Sequence, residues 1–244
     1  MDRAVREHPV LAVCGLGFEE AIAAGPGVVT VCGPGPARVE AGLAALLGDA
    51  PSAWAGIISF GCAGGLDPAL AAGTCVVATG VFTGDVSIPT DAAWVRALLD
   101  RLPGAWPGKL AGLDAPLASS ADKIALWRDS GACAVDMESH AAGLAARRHR
   151  LPFAACRVVL DPAWRDVPSC ALAGMRAGGS DEASGAGTAA LWPLLRALAG
   201  TPAELAPLLA LARDAWCARR ALRRVRARLG PRLGAGPAGA PRPH

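Results

Sequence analysis

Five short runs, VLAVC (10–14), VVTVC (28–32), GIISF (56–60), TCVVAT (74–79) and FAACRVVL (153–160), are apolar almost without a break and rich in β-branched residues. A strand with one face in water alternates apolar and polar residues, so continuous runs belong to strands covered on both faces. Ala/Leu-rich stretches at 37–47, 91–102, 121–130, 137–149 and 189–198 fall between and after them and read as helices. This rhythm predicts an α/β fold with a mostly parallel sheet covered by helices. Ligands of such sheets bind beyond the carboxyl ends of the strands, so the residues just after each run carry the most information.

The 244 residues suit one large α/β core. Hydrophobic residues make up 52% of the chain, yet no apolar run approaches the roughly 18 residues of a membrane span. The start, MDRAVREHP, has no secretory hydrophobic region or cleavage site, so a cytoplasmic location is expected. Eight cysteines are present without a CxxC pair, and Cys14, Cys32, Cys75, Cys133 and Cys156 sit in or beside Val/Ala-rich segments, as reduced core thiols do. The four histidines show no ligand spacing, so no metal is expected. GLGFEE (15–20) lacks the third glycine of a dinucleotide fingerprint and no GxxxxGK[ST] occurs, which disfavours NAD and nucleoside triphosphates.

Charge is concentrated at one end. Residues 205–244 hold nine arginines and one acid, a net +8 against +3 for the whole chain. Positions 204–229 read as a long amphipathic helix with Leu205, Leu208, Leu209, Ala212, Trp216 and Leu222 on its apolar side. The Gly/Pro-rich segment 230–244 reads as disordered. The expected organisation is a domain over 1–203, a basic helix over 204–229 and a tail over 230–244. The helix could rest on an anionic membrane or pack on the sheet or in an oligomer contact. Nucleic-acid binding is not expected, because aromatic residues are not interleaved with the arginines.

The segments after the strands are GLGFEEAIA, GPGPARVEAG, GCAGGLDP, DMESHAA and DPAWRDVP. Glycine turns and the carboxylates Glu19, Glu20, Asp136, Glu138 and Asp161 thus gather at one edge. A helix-terminus acid explains any one of Glu19, Asp136 and Glu138. Several such carboxylates at one edge suit general acid, general base and sugar-hydroxyl binding.

SFGCAGGLDPAL, GTCVVA, AVDMESHAAGLAA and CRVVLDPA, in this order and spacing, resemble the nucleoside phosphorylase/nucleosidase family, which includes purine nucleoside phosphorylases and methylthioadenosine/S-adenosylhomocysteine nucleosidases. GLGFEEAIAAGPG, DMESHA, DPAWRDVP and the arginine-rich end are similar to its hopanoid-associated branch, which removes adenine from adenosylhopane. The resemblance implies a three-layer αβα phosphorylase-like fold around a mixed, mostly parallel sheet, and cleavage of an N-glycosidic bond. It implies that Cys62, Ala63 and Gly64 approach the ligand through backbone atoms, that Met137 packs on the ribose, and that Glu138 accepts its 2′ and 3′ hydroxyls. Asp161 is then the proton donor to the purine ring, its carboxyl kept protonated by burial. Asp136 is expected to be mainly a helix-start acid.

The same resemblance assigns water activation to a glutamate after the first glycine loop. Glu20 fits the nucleosidase register counted from Gly15, and Glu19 fits the hopanoid-branch pattern. Arg38 and Arg157 are candidate phosphate ligands, with inorganic phosphate as a possible co-substrate and no other cofactor. The arginine that phosphorylases often carry after GGLDP is absent, since Ala71-Ala72-Gly73-Thr74 stands there, so water is favoured as nucleophile. Trp164, Trp94, Phe82 and the Trp216 helix face are candidates for an apolar exit for a hydrophobic 5′ substituent. A homo-oligomer is expected, since the family commonly forms dimers or hexamers, and a dimer is favoured. The rivals are a nucleosidase or phosphorylase for small purine nucleosides and a binding protein that has lost catalysis.

Overall fold

The first apolar run shows how the layers form. Strand β1 (Val10–Cys14) is fully buried, with Leu11 and Val13 in one core cluster and Val10, Ala12 and Cys14 in another. Successive strand side chains point to opposite faces, so a continuous apolar run feeds two cores at once. A computed structural model describes residues 8–48, 53–168, 171 and 205–236.

The chain runs β1, α1 (Gly17–Ala23), β2 (Val28–Cys32), α2 (Pro36–Leu47), β3 (Gly56–Gly65), β4 (Cys75–Thr83), β5 (Val86–Pro89), α3 (Ala92–Arg101) and β6 (Trp106–Gly112). It continues through α4 (Ser120–Ser130), β7 (Ala134–Asp136), α5 (Ser139–Arg148), β8 (Phe153–Asp161) and, after undescribed residues, α6 (Leu205–Leu229). The strand order is β2-β1-β3-β7-β6-β4-β5, and β8 pairs with both β3 and β4. Strands β3, β8, β4, β6 and β7 therefore close into a ring. Most pairings are parallel; β3–β7, β4–β5 and β4–β8 are antiparallel. This is the mixed, mostly parallel α/β sheet the sequence predicts.

Helices α2 and α5 cover one face, with Leu43, Leu47, Ala142 and Ala146 in the first core cluster. Helices α1, α3 and α6 cover the other through Ala23, Leu98, Ala218 and Leu222. Caps fix where several begin. Asp91 accepts the Trp94 amide at 2.9 Å to start α3, Pro36 occupies the first turn of α2, and Gly131 ends α4 in the left-handed conformation.

Two expectations are corrected. The buried face of α6 is Ala218, Ala221, Leu222, Val225 and Leu229, whereas Leu209 and Trp216, placed on the apolar side from the sequence, are more than 60% exposed. The tail is not disordered from residue 230. Pro231–Gly234 forms a tight turn in which Leu233 is fully buried and its carbonyl accepts the Trp94 indole N–H at 3.1 Å. Of the alternatives for helix α6, packing on the sheet is found: its inner face completes a core cluster with β1 and β8 residues. The expected helix at 189–198 and the domain limit at 203 lie outside the described residues.

Candidate active site

A cavity of about 920 Å³ opens where β1, β3, β7 and β8 end. Its wall includes Glu19, Arg38, Cys62, Ala63, Gly64, Asp136, Met137, Glu138 and Asp161. Cys62, Ala63 and Gly64, the pair Met137 and Glu138 expected to hold a ribose, and the candidate proton donor Asp161 are thus brought together. Glu20 and Arg157 are not on this wall.

The first glycine loop selects between the two adjacent glutamates. Glu19 opens α1 and is 2% exposed. Its carboxylate accepts the amides of Gly15 at 2.8 Å, Leu16 at 3.1 Å and Cys62 at 2.8 Å. Glu20 turns away and accepts the Thr30 hydroxyl at 2.8 Å. The placement of Glu20 at the site is corrected; one residue along a helix rotates a side chain by about 100°, which register counting cannot resolve. Burial raises the proton affinity of Glu19, while Arg157 and the three amides lower it.

Arg157 explains the acids of this wall. It lies on β8, fully buried, with Nε 2.6 Å from Asp136 and Nη2 3.3 Å from Glu138. Nη2 also donates to Ser59 Oγ at 2.5 Å, and Nη1 donates to the Cys62 carbonyl at 3.2 Å. Burial disfavours its charge, but Asp136, Glu138 and Glu19 outweigh this and raise its pKa. The guanidinium is enclosed by protein partners, which corrects its assignment as a phosphate ligand; Arg38 alone keeps that place on the wall. Asp136 is likewise more than a helix-start acid. It caps α5 by accepting the Ser139 amide at 3.0 Å, accepts the Ser139 hydroxyl, and pairs with Arg157.

Glu138 accepts the Gly35 amide at 3.1 Å. Burial pushes its carboxyl up to about 7; Arg157 pulls it down and Asp136 pushes it up. Two glycines permit this packing. A Cβ on Gly15 would lie 2.9 Å from a Glu138 carboxylate oxygen, and one on Gly61 would lie 2.5 Å from Glu19 and 2.8 Å from Arg157.

Asp161 ends β8, at a register shift in the β3 pairing that sets it opposite Gly64. Its Oδ2 lies 2.5 Å from the ammonium of Lys123, a residue of α4 that the sequence did not single out. A signal was present: Lys123 shares the face of Leu126 and Trp127 at i, i+3 and i+4, and both pack on a core cluster. Asp114 was also missed. It lines the cavity and bonds His140 at 3.1 Å.

The rest of the wall is apolar and contains Leu16, Phe18, Pro116, Leu117, Val167, Leu211 and Ala215. None of the four aromatic candidates for an exit lines the cavity. Trp94 is core, Phe82 packs near Leu66 and Ala111, and Trp164 and Trp216 are exposed.

The model of the phosphorylase superfamily matches residues 7–171, and the chain belongs to that superfamily. Among solved structures it is similar to the 5′-methylthioadenosine/S-adenosylhomocysteine nucleosidase of Neisseria meningitidis in complex with methylthio-immucillin-A. Identity there is 19%, the match covers 64% of this chain and 87% of that one, and the TM-score is 0.57. The S-adenosylhomocysteine nucleosidase of Streptococcus pyogenes gives 18% identity, 66% and 86% coverage and a TM-score of 0.59. The futalosine hydrolase of Helicobacter pylori gives 13% identity, 79% and 99% coverage and a TM-score of 0.58. At such identities these structures share the fold. No curated protein matches the sequence.

Proposed function

We propose that the protein cleaves the N-glycosidic bond of an adenine nucleoside with a bulky apolar 5′ substituent, releasing adenine, and that adenosylhopane is its substrate. The observation that carries this is the convergence of Glu19, Glu138 and Asp161 on one cavity whose remaining wall is largely apolar. As the bond breaks, the sugar gains positive charge and the base gains negative charge. Carboxylates at the sugar and a proton for the base stabilise that separation. Glu138 accepts the ribose hydroxyls, Met137 packs on the sugar, Glu19 faces the nucleophile, and Asp161 serves the purine.

Water fits as nucleophile better than phosphate, because a phosphate dianion beside Glu19 and Glu138 is repelled and, among the described residues, only Arg38 offsets it on the wall. The alternative is a small-substrate reading, methylthioadenosine or adenosylhomocysteine, favoured by the nucleosidase neighbours. The deciding experiment supplies adenosylhopane, methylthioadenosine and inosine, with and without phosphate, and follows base and sugar products by mass spectrometry. Adenine and free ribosyl-hopane are expected. A strict phosphate requirement with a sugar 1-phosphate product overturns the choice of water, and preference for methylthioadenosine overturns the lipid substrate.

A peripheral membrane contact through α6 accompanies this reading. Among the described residues no helix is long and apolar enough to cross a membrane. Arg213, Arg220 and Arg223 are exposed, as are Leu209 and Trp216, and these five positions share one stripe of the helix at i, i+4, i+7, i+11 and i+14. Deleting α6 would open the core, so the suitable variant carries Arg213→Gln, Arg220→Gln and Arg223→Gln. Flotation with anionic liposomes should show salt-sensitive binding of the parent and weak binding of this variant. Equal flotation, or none by the parent, removes the membrane contact.

A further inference from the structure

Lys123 has no part in the reaction described so far, yet it is built into the site. Its side chain is fully buried, a rare state for lysine. Its ammonium donates to Asp161 Oδ2 at 2.5 Å and to the Arg165 carbonyl at 2.7 Å. Helix α4 and the segment after β8 are stitched together around this pair. The Ser120 amide donates to Asp166 Oδ1 at 2.6 Å, and the Val167 amide donates to the Ala118 carbonyl at 2.9 Å. The neighbouring charges Arg165 and Asp214 are satisfied by each other at 2.8 Å.

This geometry bears on where the purine's proton comes from. An aspartate that is the anion of an ion pair has no proton to give. Burial raises the proton affinity of Asp161 and Lys123 lowers it, so burial alone does not decide the protonation state. We infer that Lys123 is a positioning residue for Asp161 and the source of the proton that reaches the leaving base. The inference rests on the reading of Asp161 as the group that serves the purine.

The ammonium gives one proton to Oδ2 of Asp161, and the carboxyl group delivers one proton to a ring nitrogen of the base. The C1′–N9 bond breaks and its electron pair goes to the base, which leaves neutral. The nucleophile's oxygen bonds to C1′; for water, one proton passes to Glu19. Lys123 is left neutral and Asp161 anionic, and proton return from Glu19 through solvent restores the pair. The 2.5 Å contact between Nζ and Oδ2 gives the proton a direct path along one hydrogen bond.

The test compares two substrates on the full-length protein. One is adenosylhopane, the proposed substrate, whose base needs a proton. The other is 4-nitrophenyl β-D-ribofuranoside, whose phenolate leaves without one. Lys123→Met should lower kcat on the nucleoside by about 10²–10³-fold, the size of a lost general acid, and lower it on the nitrophenyl riboside far less. The ratio of the two rates is unaffected by a misfolded fraction, and Lys123→Gln gives the same ratio should the Met variant fail to fold. Lys123→Arg keeps the charge but its guanidinium yields no proton, so it should be as slow as the Met variant on the nucleoside.

Equal losses on both substrates mean a structural pair and overturn the inference. Recovery of nucleoside cleavage by Lys123→Arg means a counter-charge alone and overturns the proton source. Inactivity of the unmodified protein on both substrates overturns the proposed reaction and this inference with it, whereas an active parent isolates the role of Lys123.

Discussion

Replacing Asp161 by Asn lowers kcat on a purine nucleoside by about 10²–10⁴-fold, the range for removal of a positioned acid, while the protein stays folded. Asparagine has the same shape, and its amide oxygen still accepts an N–H from Lys123. It cannot pass a proton. The buried ammonium of Lys123 loses its counter-charge but keeps an acceptor there and the Arg165 carbonyl, so the cost in stability is about 1–3 kcal/mol, that of a weakened charged hydrogen bond. KM should move little, because Met137 and Glu138, the proposed ribose clamp, are untouched. Steady-state kinetics with a thermal melt of the same sample check this. A folded variant that keeps kcat within about ten-fold of the parent would end the assignment of Asp161 as the acid.

The site was legible where chemistry follows chain direction. Val10–Cys14, Val28–Cys32 and Phe153–Asp161 fall where continuous apolar runs place them, because burial on both faces leaves a one-dimensional signature. The residues after them inherit a position at the sheet edge, and Cys62, Ala63, Gly64, Met137, Glu138 and Asp161 are found there. Strands Val86–Pro89 and Trp106–Gly112 left weak signatures. The first is short and mostly exposed, and the second begins Trp-Pro-Gly-Lys with its outer half in contact with solvent.

What the sequence could not carry was the pairing of charges across elements. Arg157 sits in the middle of an apolar run, and counting along the chain suggests only that it precedes Asp161 by four residues. In the fold it pairs with Asp136 on β7, while Lys123 reaches Asp161 from α4. Both partnerships join residues distant in sequence, and neither side chain's direction follows from local spacing. Glu19 and Glu20 show the same limit at one-residue scale.

Replacing Arg157 by Met gives the largest expected loss of stability. One buried guanidinium stands against Asp136, Glu138 and Glu19, all at most 6% exposed. Without it like charges face each other in a medium that screens poorly. Breaking such a buried arrangement by removing one partner costs about 3–5 kcal/mol, a large share of a total of about 5–15 kcal/mol. For a chain of this size that is a fall in Tm of about 6–20 °C.

The pH dependence follows from the direction of the shifts. With Arg157 present the Glu138 carboxyl is already raised to about 7, and without it the carboxyl rises further. A raised folded pKa gives stability that is complete below the unfolded value and is lost as pH rises through the folded one. Arg157→Met should therefore be most stable near the unfolded carboxyl range, about pH 4–5, and weaken steadily through pH 7 and above. Adding Asp136→Asn and Glu138→Gln should restore much of the loss at pH 8, since it removes the repulsion. An arginine that served phosphate would behave otherwise: its replacement would leave the melt unchanged and abolish only phosphate dependence. Thermal melts at pH 5 to 8 separate the two, and a single variant melting within about 2 °C of the parent at pH 8 would show that Arg157 does not hold these carboxylates together.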